Sequence, residues 1–315
     1  MYAVTVQTRL FPMLLALGCS DYNVISKGLS ESFFQNDREE GVDILWVIDN
    51  SATMYEEQDL LMESADNFIA FVANSSVDFR LGVVSTDMDV DPGLLQGPVI
   101  DAETSNMVDR FIRQIETDRV GSRDERGLEA AIVGASPELS PEFARARSDL
   151  ELVVFSDEDD HSTRPVVDVL GELEDQRDGG AVKVHAVVGD PPAGCVSALA
   201  AADVGTRYLE AQAITEGRRE SICTLDYGGM LARVALDVIG LETTFALAEI
   251  PGPSTIELTV DGVAVHRRDV DGWRYNPGDN TVIFDGYAVP PAGARIDVSY
   301  ALWKGPLEGM EESAE

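Results

Sequence analysis

The run Asp43-Ile44-Leu45-Trp46-Val47-Ile48, followed at once by Asp49-Asn50-Ser51-Ala52-Thr53-Met54, constrains this chain more than any other feature. A short apolar, β-branched run with no polar alternation reads as a strand covered on both faces, as in the middle of a parallel sheet. Asp49 ends the run, and Ser51 and Thr53 follow at alternate positions to give D-x-S-x-T. Leu61, Ala65, Phe68, Ile69 and Val72 then recur at the spacing of one apolar helix stripe, predicting a helix over residues 53–73. One carboxylate and two hydroxyls therefore fall in a strand-to-helix turn, where open α/β sheets build their sites. Two readings stand at this point. Either Ser51 or Thr53 caps the helix, or the three oxygens form half a shell for a hard divalent cation, which takes about six oxygens and keeps waters among them.

The same pattern repeats along the chain. Phe79 to Ser85 is a second strand ending in Thr86-Asp87, so Asp87 is either a turn-forming acid or a further ligand. Leu150 to Phe155 is a third, ending in Ser156-Asp157-Glu158-Asp159-Asp160, and Val182 to Val188 a fourth. Between and after them, helical spacing recurs in Phe111-Ile112-Ile115, Leu128-Ala131-Ile132-Ala135, Val166-Val169-Leu170-Leu173 and Leu231-Val234-Ala235-Val238. Tyr208-Leu209-Glu210 reads as a last short strand. This alternation predicts a doubly wound, mainly parallel sheet with right-handed crossovers and helices on both faces. No G-x-G-x-x-G or P-loop follows any strand, which disfavours nucleotide binding. His161 reads as a surface residue and His185 as a core histidine; neither has a spaced Cys or His partner, so there is no zinc signature.

With Asp49, Ser51, Thr53 and Asp157 in view, residues 42–242 resemble the von Willebrand factor type A (vWA) domain and its metal-ion-dependent adhesion site, whose first motif is D-x-S-x-S. Thr53 keeps the hydroxyl of the final Ser. Asp157 takes the place of the Asp that closes that site, usually through water. The chief departure is at Gly121 to Leu128: where the family supplies a Thr, this chain has Asp124, with Glu125 next. Either Asp124 replaces the hydroxyl, favouring a larger, oxygen-hungry ion such as Ca²⁺, or it caps its helix. Glu56 and Glu57, in the first helical turn, suit the helix dipole; with Asp160 they also match the place where integrin-type domains put a second metal. The resemblance implies binding rather than turnover, with Mg²⁺ or Ca²⁺ as the ion and a protein partner whose acidic side chain completes its coordination.

Charge and cysteines set the surroundings. With 57 acidic against 23 basic residues, the formal charge of −34 disfavours nucleic acid and bare anionic lipid as partners. Cys19, after Arg9, the apolar run Leu10 to Leu17 and Gly18, looks like the lipidated Cys of a bacterial lipoprotein. That predicts a signal over 1–18, a tether over 19–41, a lipid anchor and a place in the bacterial cell envelope. Cys195 and Cys223 then remain as an even pair, either bridged in an oxidising compartment or two buried thiols. From residue 250 the texture changes to Pro, Gly and alternating short strands, with Asp261-Gly262 as a type I′ hairpin turn. Residues 243–304 read as a small, sandwich-like antiparallel β domain and 305–315 as an acidic tail. Trp273 and Tyr275 are either core residues or a sugar- or protein-binding pair. Against the adhesion reading stand a metal-free structural domain and a metal-dependent hydrolase using Asp49, Asp87, Asp157 and Asp160.

Overall fold

The computed structural model describes residues 28–36, 41–116, 121 and 124–303. Cys19, the signal, most of the tether and the acidic tail lie outside them. The chain divides into two compact units, residues 38–240 and residues 1–37 joined with 241–315.

The first strand, β1 (Gly28–Phe34), belongs to the second unit. The α/β unit then runs through β2 (Val42–Ile48), α1 (Tyr55–Glu63), α2 (Ala65–Asn74), β3 (Phe79–Ser85), β4 (Ile100–Asp101), α3 (Met107–Ile115) and α4 (Gly127–Gly134). It continues through β5 (Asp149–Phe155), α5 (Val166–Asp175), β6 (Val182–Val188), β7 (Cys195–Val196), β8 (Ala201–Ala202), α6 (Thr206–Thr215), β9 (Arg219–Ser221) and α7 (Tyr227–Val238). Six of these strands form one sheet in the order β4-β3-β2-β5-β6-β9, parallel except for β4. Every residue of β2 is buried, as the apolar run Ile44 to Ile48 requires of a central strand, and its buried acid, Asp43, is paired with Arg145 at 2.7 Å and Arg177 at 3.0 Å. Alternation assigns its two faces. Leu45 and Val47 join Leu128, Leu170 and Tyr208 of α4, α5 and α6 in one core, while Trp46 meets Phe68 of α2 and Phe111 of α3 on the other, ring centroids 5.0 and 5.4 Å away.

Two local expectations are corrected. The predicted helix over 53–73 is two helices, broken at Ser64, whose φ of −110° and ψ of 5° leave the helical region. The apolar stripe survives the break, with Leu61, Ala65, Phe68, Ile69 and Val72 all buried. Tyr208-Leu209-Glu210 lies in helix α6, because Tyr208 and Ala211 bury one helical face against the sheet; the last sheet strand is β9 instead.

The second unit is a pair of antiparallel sheets, built from β10 (Thr244–Ala246), β11 (Glu257–Val260), β12 (Val263–Ala264), β13 (Trp273–Asn276), β14 (Thr281–Phe284) and β15 (Arg295–Ala301) together with β1. One sheet has the order β1-β15-β11-β12, the other β10-β14-β13. Residues 28–34 are thus a strand of this unit rather than part of a tether, each paired with a residue of β15. Its polar sequence is tolerated because Glu31, buried, accepts hydrogen bonds from Tyr300 Oη and from the Ala248 amide, the latter at 3.0 Å. Asp261 and Gly262 both have positive φ, 48° and 80°, as a type I′ turn demands. Trp273 and Tyr275 are core residues, packed with Leu29, Phe245, Val282 and Ile296.

Candidate metal centre

Parallel pairing places Ile48, Ser85 and Phe155 in register, so the residues that follow them emerge side by side at the carboxyl end of the sheet. The backbone continues this alignment: Asp49 N–H donates to Phe155 O at 3.0 Å and Thr86 N–H to Ile48 O at 3.1 Å. After β2 the chain steps to β3 on one side, and β5 lies on the other, so the crevice opens where the winding direction reverses.

Asp49 is fully buried and its carboxylate is held from two directions. Ser51 N–H donates to Oδ1 at 2.8 Å and Ser156 Oγ to Oδ2 at 2.6 Å. Ser156 was not singled out in the sequence, although a hydroxyl directly before Asp157 at a strand end was its signal. Neither Ser51 nor Thr53 caps a helix by its side chain; their hydroxyls lie 2.9 Å apart and hydrogen-bond to each other. The capping alternative therefore does not explain them. Asp157 lies against Asp49 and hydrogen-bonds to Thr53, and burial together with the Asp49 charge pushes its carboxyl up to about 7. Burial likewise raises Asp49.

Glu125, not Asp124, is the acid of the third motif that faces Asp49. It is fully buried, Thr86 Oγ1 donates to its Oε2, and burial with the charges of Asp49, Glu158 and Asp87 pushes it up to about 8. Asp124 has a side chain 58% exposed and pairs with Arg126 at 3.4 Å and His161 at 3.6 Å. Nor does Asp124 cap α4. That helix start is held by Asp160 Oδ1, accepting from Leu128 N–H, and by Ser162 Oγ, accepting from Glu129 N–H, each at 3.1 Å.

Asp87 is buried, and its Oδ1 accepts the amides of Asp89 and Val90 at 3.0 and 3.1 Å, the turn-forming role. Of the second-metal candidates, Glu56 is exposed and Glu57 buried beneath it. Asp160 is committed elsewhere: besides Leu128 N–H, its Oδ1 accepts Ser162 Oγ at 2.8 Å, and its Oδ2 accepts Arg207 Nε at 2.9 Å. Asp160 thus holds the start of α4 and the Arg207 guanidinium, with both oxygens engaged, so Asp160→Asn is expected to leave the stoichiometry of ion binding unchanged while lowering stability by about 1–3 kcal/mol. Calorimetry and urea denaturation of the variant check the two halves separately. His185 is a core histidine: Nδ1 accepts Arg218 N–H at 3.0 Å, which puts the proton on Nε2, 2.7 Å from buried Glu151 Oε2.

Asp157 Oδ1, Glu57 Oε2, Glu125 Oε1 and Asn50 Oδ1 are among the buried side-chain atoms without a hydrogen-bond partner. Such atoms cost about 1–3 kcal/mol each, more when charged, and Asp157 Oδ1, on the carboxyl that hydrogen-bonds to Thr53, is the one that suits a cation held with the hydroxyls. Among the described residues no trio of His, Cys, Asp or Glu is arranged to hold an ion by itself, so one here would depend on the Ser51 and Thr53 hydroxyls. Cys195 and Cys223 form a disulfide with Cα atoms 6.1 Å apart. Closing that loop of 28 residues stabilises the fold by about 3–4 kcal/mol in the chain-entropy account.

No known family model matches the chain, and no curated protein does. Among solved structures it is similar to the pilus adhesin SpaC from Lactobacillus rhamnosus GG, with a TM-score of 0.50 and 13% identity over 87% of this chain and 41% of the adhesin. A von Willebrand factor type A structure from Catenulispora acidiphila aligns over 97% of this chain and 66% of its own, at 11% identity and a TM-score of 0.46. The chain therefore spans less than half the length of the pilus adhesin. At such identity the likeness to the adhesin concerns the fold alone, a mixed α/β arrangement accompanied by antiparallel sheets. No helix among the described residues is long and apolar enough to cross a membrane.

Proposed function

We propose that this chain is a non-enzymatic binding module of the bacterial cell envelope, which holds one divalent cation at Asp49, Ser51, Thr53 and Asp157 and through it binds an acidic side chain of a protein partner. The observation that carries this reading is the unpartnered, buried Asp157 Oδ1 beside the paired hydroxyls of Ser51 and Thr53. Ser51 N–H and Ser156 Oγ fix the direction of the Asp49 carboxylate in advance, as the supporting shell of a metal site must. Ser51 and Thr53 are neutral ligands and leave most of an ion's charge uncompensated. When bound, Mg²⁺ or Ca²⁺ would supply positive charge for a partner's carboxylate. Glu125, bound to Thr86 Oγ1, would add negative charge and favour Ca²⁺ once a nearby ion had displaced its proton.

The disulfide supports an oxidising, exported setting, in keeping with a lipid anchor at Cys19. A hydrolase would need Asp49, Asp87, Asp157 and Asp160 as shared ligands of two ions about 4 Å apart, but both Asp160 oxygens and one Asp87 oxygen already have other work. Calorimetric titration of chelator-stripped protein with MgCl₂ and with CaCl₂ tests the proposal: one equivalent of ion is expected to bind. Absence of heat with either salt leaves a metal-free structural domain in its place.

A further inference from the structure

After β6 the chain turns through Asp190 to Gly194 into the antiparallel ribbon β7–β8, in which Cys195 pairs with Ala202 and Val196 with Ala201. A two-stranded ribbon is marginally stable in water by itself, and this one has little core beneath it. Of residues 191–202, Ala200 alone is buried, and Val196 is 83% exposed. The covalent tie is the disulfide from Cys195 to Cys223, and its two ends are held unequally. Cys223 is buried and follows Ile222, itself fully buried, whose carbonyl accepts Tyr227 Oη at 2.7 Å. Cys195 is half-buried and moves with the ribbon. Both lie outside the six-stranded sheet and its helices. The returning end of the ribbon is bonded to acids of the candidate metal centre. Asp203 N–H donates to Asp157 O at 2.8 Å, and the Ala201 amide donates to the carboxylate of Glu57. Glu57 is buried and its Oε2 has no partner, so a ribbon amide is part of what holds this acid.

We infer that the Cys195–Cys223 disulfide is a thiol-exchange site that acts as a redox lock. A dithiol reductant opens it, and the ribbon then releases Asp157 and Glu57 while the sheet stays folded. The exchange balances with the dithiol as the one co-reactant. A thiolate of the reductant attacks Cys195 Sγ, the more accessible sulfur; the Cys195–Cys223 bond breaks, and Cys223 leaves as a thiolate that takes up a proton. The second thiolate of the reductant then attacks the reductant's own sulfur in the mixed disulfide and expels Cys195, which is protonated in turn. The chain gains two thiols and two electrons, and the reductant becomes a disulfide. In an oxidising compartment the lock is closed at rest. With the covalent tie gone, two residue pairs and one buried alanine do not hold the ribbon. The segment around Cys223 keeps its place through buried Ile222 and Tyr227. Any effect on a bound ion rests on the cation reading above; the opening of the lock does not.

The test compares the oxidised full chain with the same chain reduced by dithiothreitol without denaturant, both then treated with iodoacetamide. Reduction is expected to go to completion in the folded protein. Hydrogen exchange followed by NMR is expected to be about tenfold or more faster at the Ala201 and Asp203 amides of the reduced chain, and unchanged along β5 and β6. By calorimetry, the Kd for Mg²⁺ is expected to rise about tenfold or more, as when a supporting partner of a metal ligand is lost. A disulfide that resists dithiothreitol until urea unfolds the chain overturns the lock, as does equal exchange at Ala201 and Asp203 in the two forms. Faster exchange throughout β5 and β6 also overturns it, because the staple would then hold the whole fold. An unchanged Kd with the ribbon freed overturns its hold on the centre. Failure of the oxidised chain to bind Mg²⁺ identifies the cation reading as the part that failed, and exchange at Ala201 and Asp203 still decides the lock.

Discussion

Asp49→Asn is expected to weaken Mg²⁺ and Ca²⁺ binding by more than about 100-fold, because removing even the outer partners of metal ligands costs 10–100-fold. Asn keeps the size of the side chain and can still accept from Ser51 N–H or Ser156 Oγ, so the turn is retained. What it loses is the charge. In the metal-free protein that charge is a liability, since burial raises both carboxyls and the Asp49 charge raises Asp157 further. The variant should therefore melt at the same temperature as the native protein or higher when both are stripped of ions, and lower when both are saturated with them. A crossing of this kind in calorimetry and thermal melts is the mark of a ligand; a variant destabilised under both conditions would make Asp49 a structural residue.

The second large effect concerns pH. Folding raises Asp157 to about 7 and Glu125 to about 8 from ordinary carboxylate values near 4. A carboxyl whose folded pKa is raised holds its proton more tightly in the folded chain than in the unfolded one. Its contribution to stability is thus complete below about pH 4 and is lost as the pH rises through 7 to 8. In chelator, the protein should lose on the order of a few kcal/mol of stability between about pH 5 and pH 8. Saturating Mg²⁺ or Ca²⁺ should abolish much of that loss, because an ion favours the charged forms. Urea denaturation at the two pH values, with and without ion, measures it; metal-free stability that rises over this interval would contradict the burial of these acids.

The fold and the first half of the site were legible in the sequence for the same reason: both are local. β2 announces itself because a strand buried on both faces is apolar at nearly every position, its one acid, Asp43, being paired with Arg145 and Arg177, and D-x-S-x-T because its three oxygens are neighbours in one turn. Asp157 was legible as an acid ending the third buried run. The choice between Asp124 and Glu125 was not, since adjacent residues in an irregular segment point to different sides according to backbone angles that composition does not fix. Thr86, which holds Glu125, follows another strand, β3. Asp160 looked like one acid among four; its bonds to Leu128 and Arg207 come from two helices distant in sequence. Strand β1 was hidden most deeply, because GLSESFF resembles linker and acquires its meaning from β15 at the far end of the chain and from a buried Glu31 that only Tyr300 and Ala248 satisfy.

The most direct measurement is the location of a bound ion by anomalous scattering from a crystal of the full chain grown with MnCl₂, an ion that accepts the same oxygen donors. The account predicts one strong peak at the carboxyl ends of β2 and β5, within bonding distance of the Ser51 and Thr53 hydroxyls and adjacent to Asp49 and Asp157. A peak seated instead on the exposed acids around Asp89 and Asp124, with none at those hydroxyls, would contradict it.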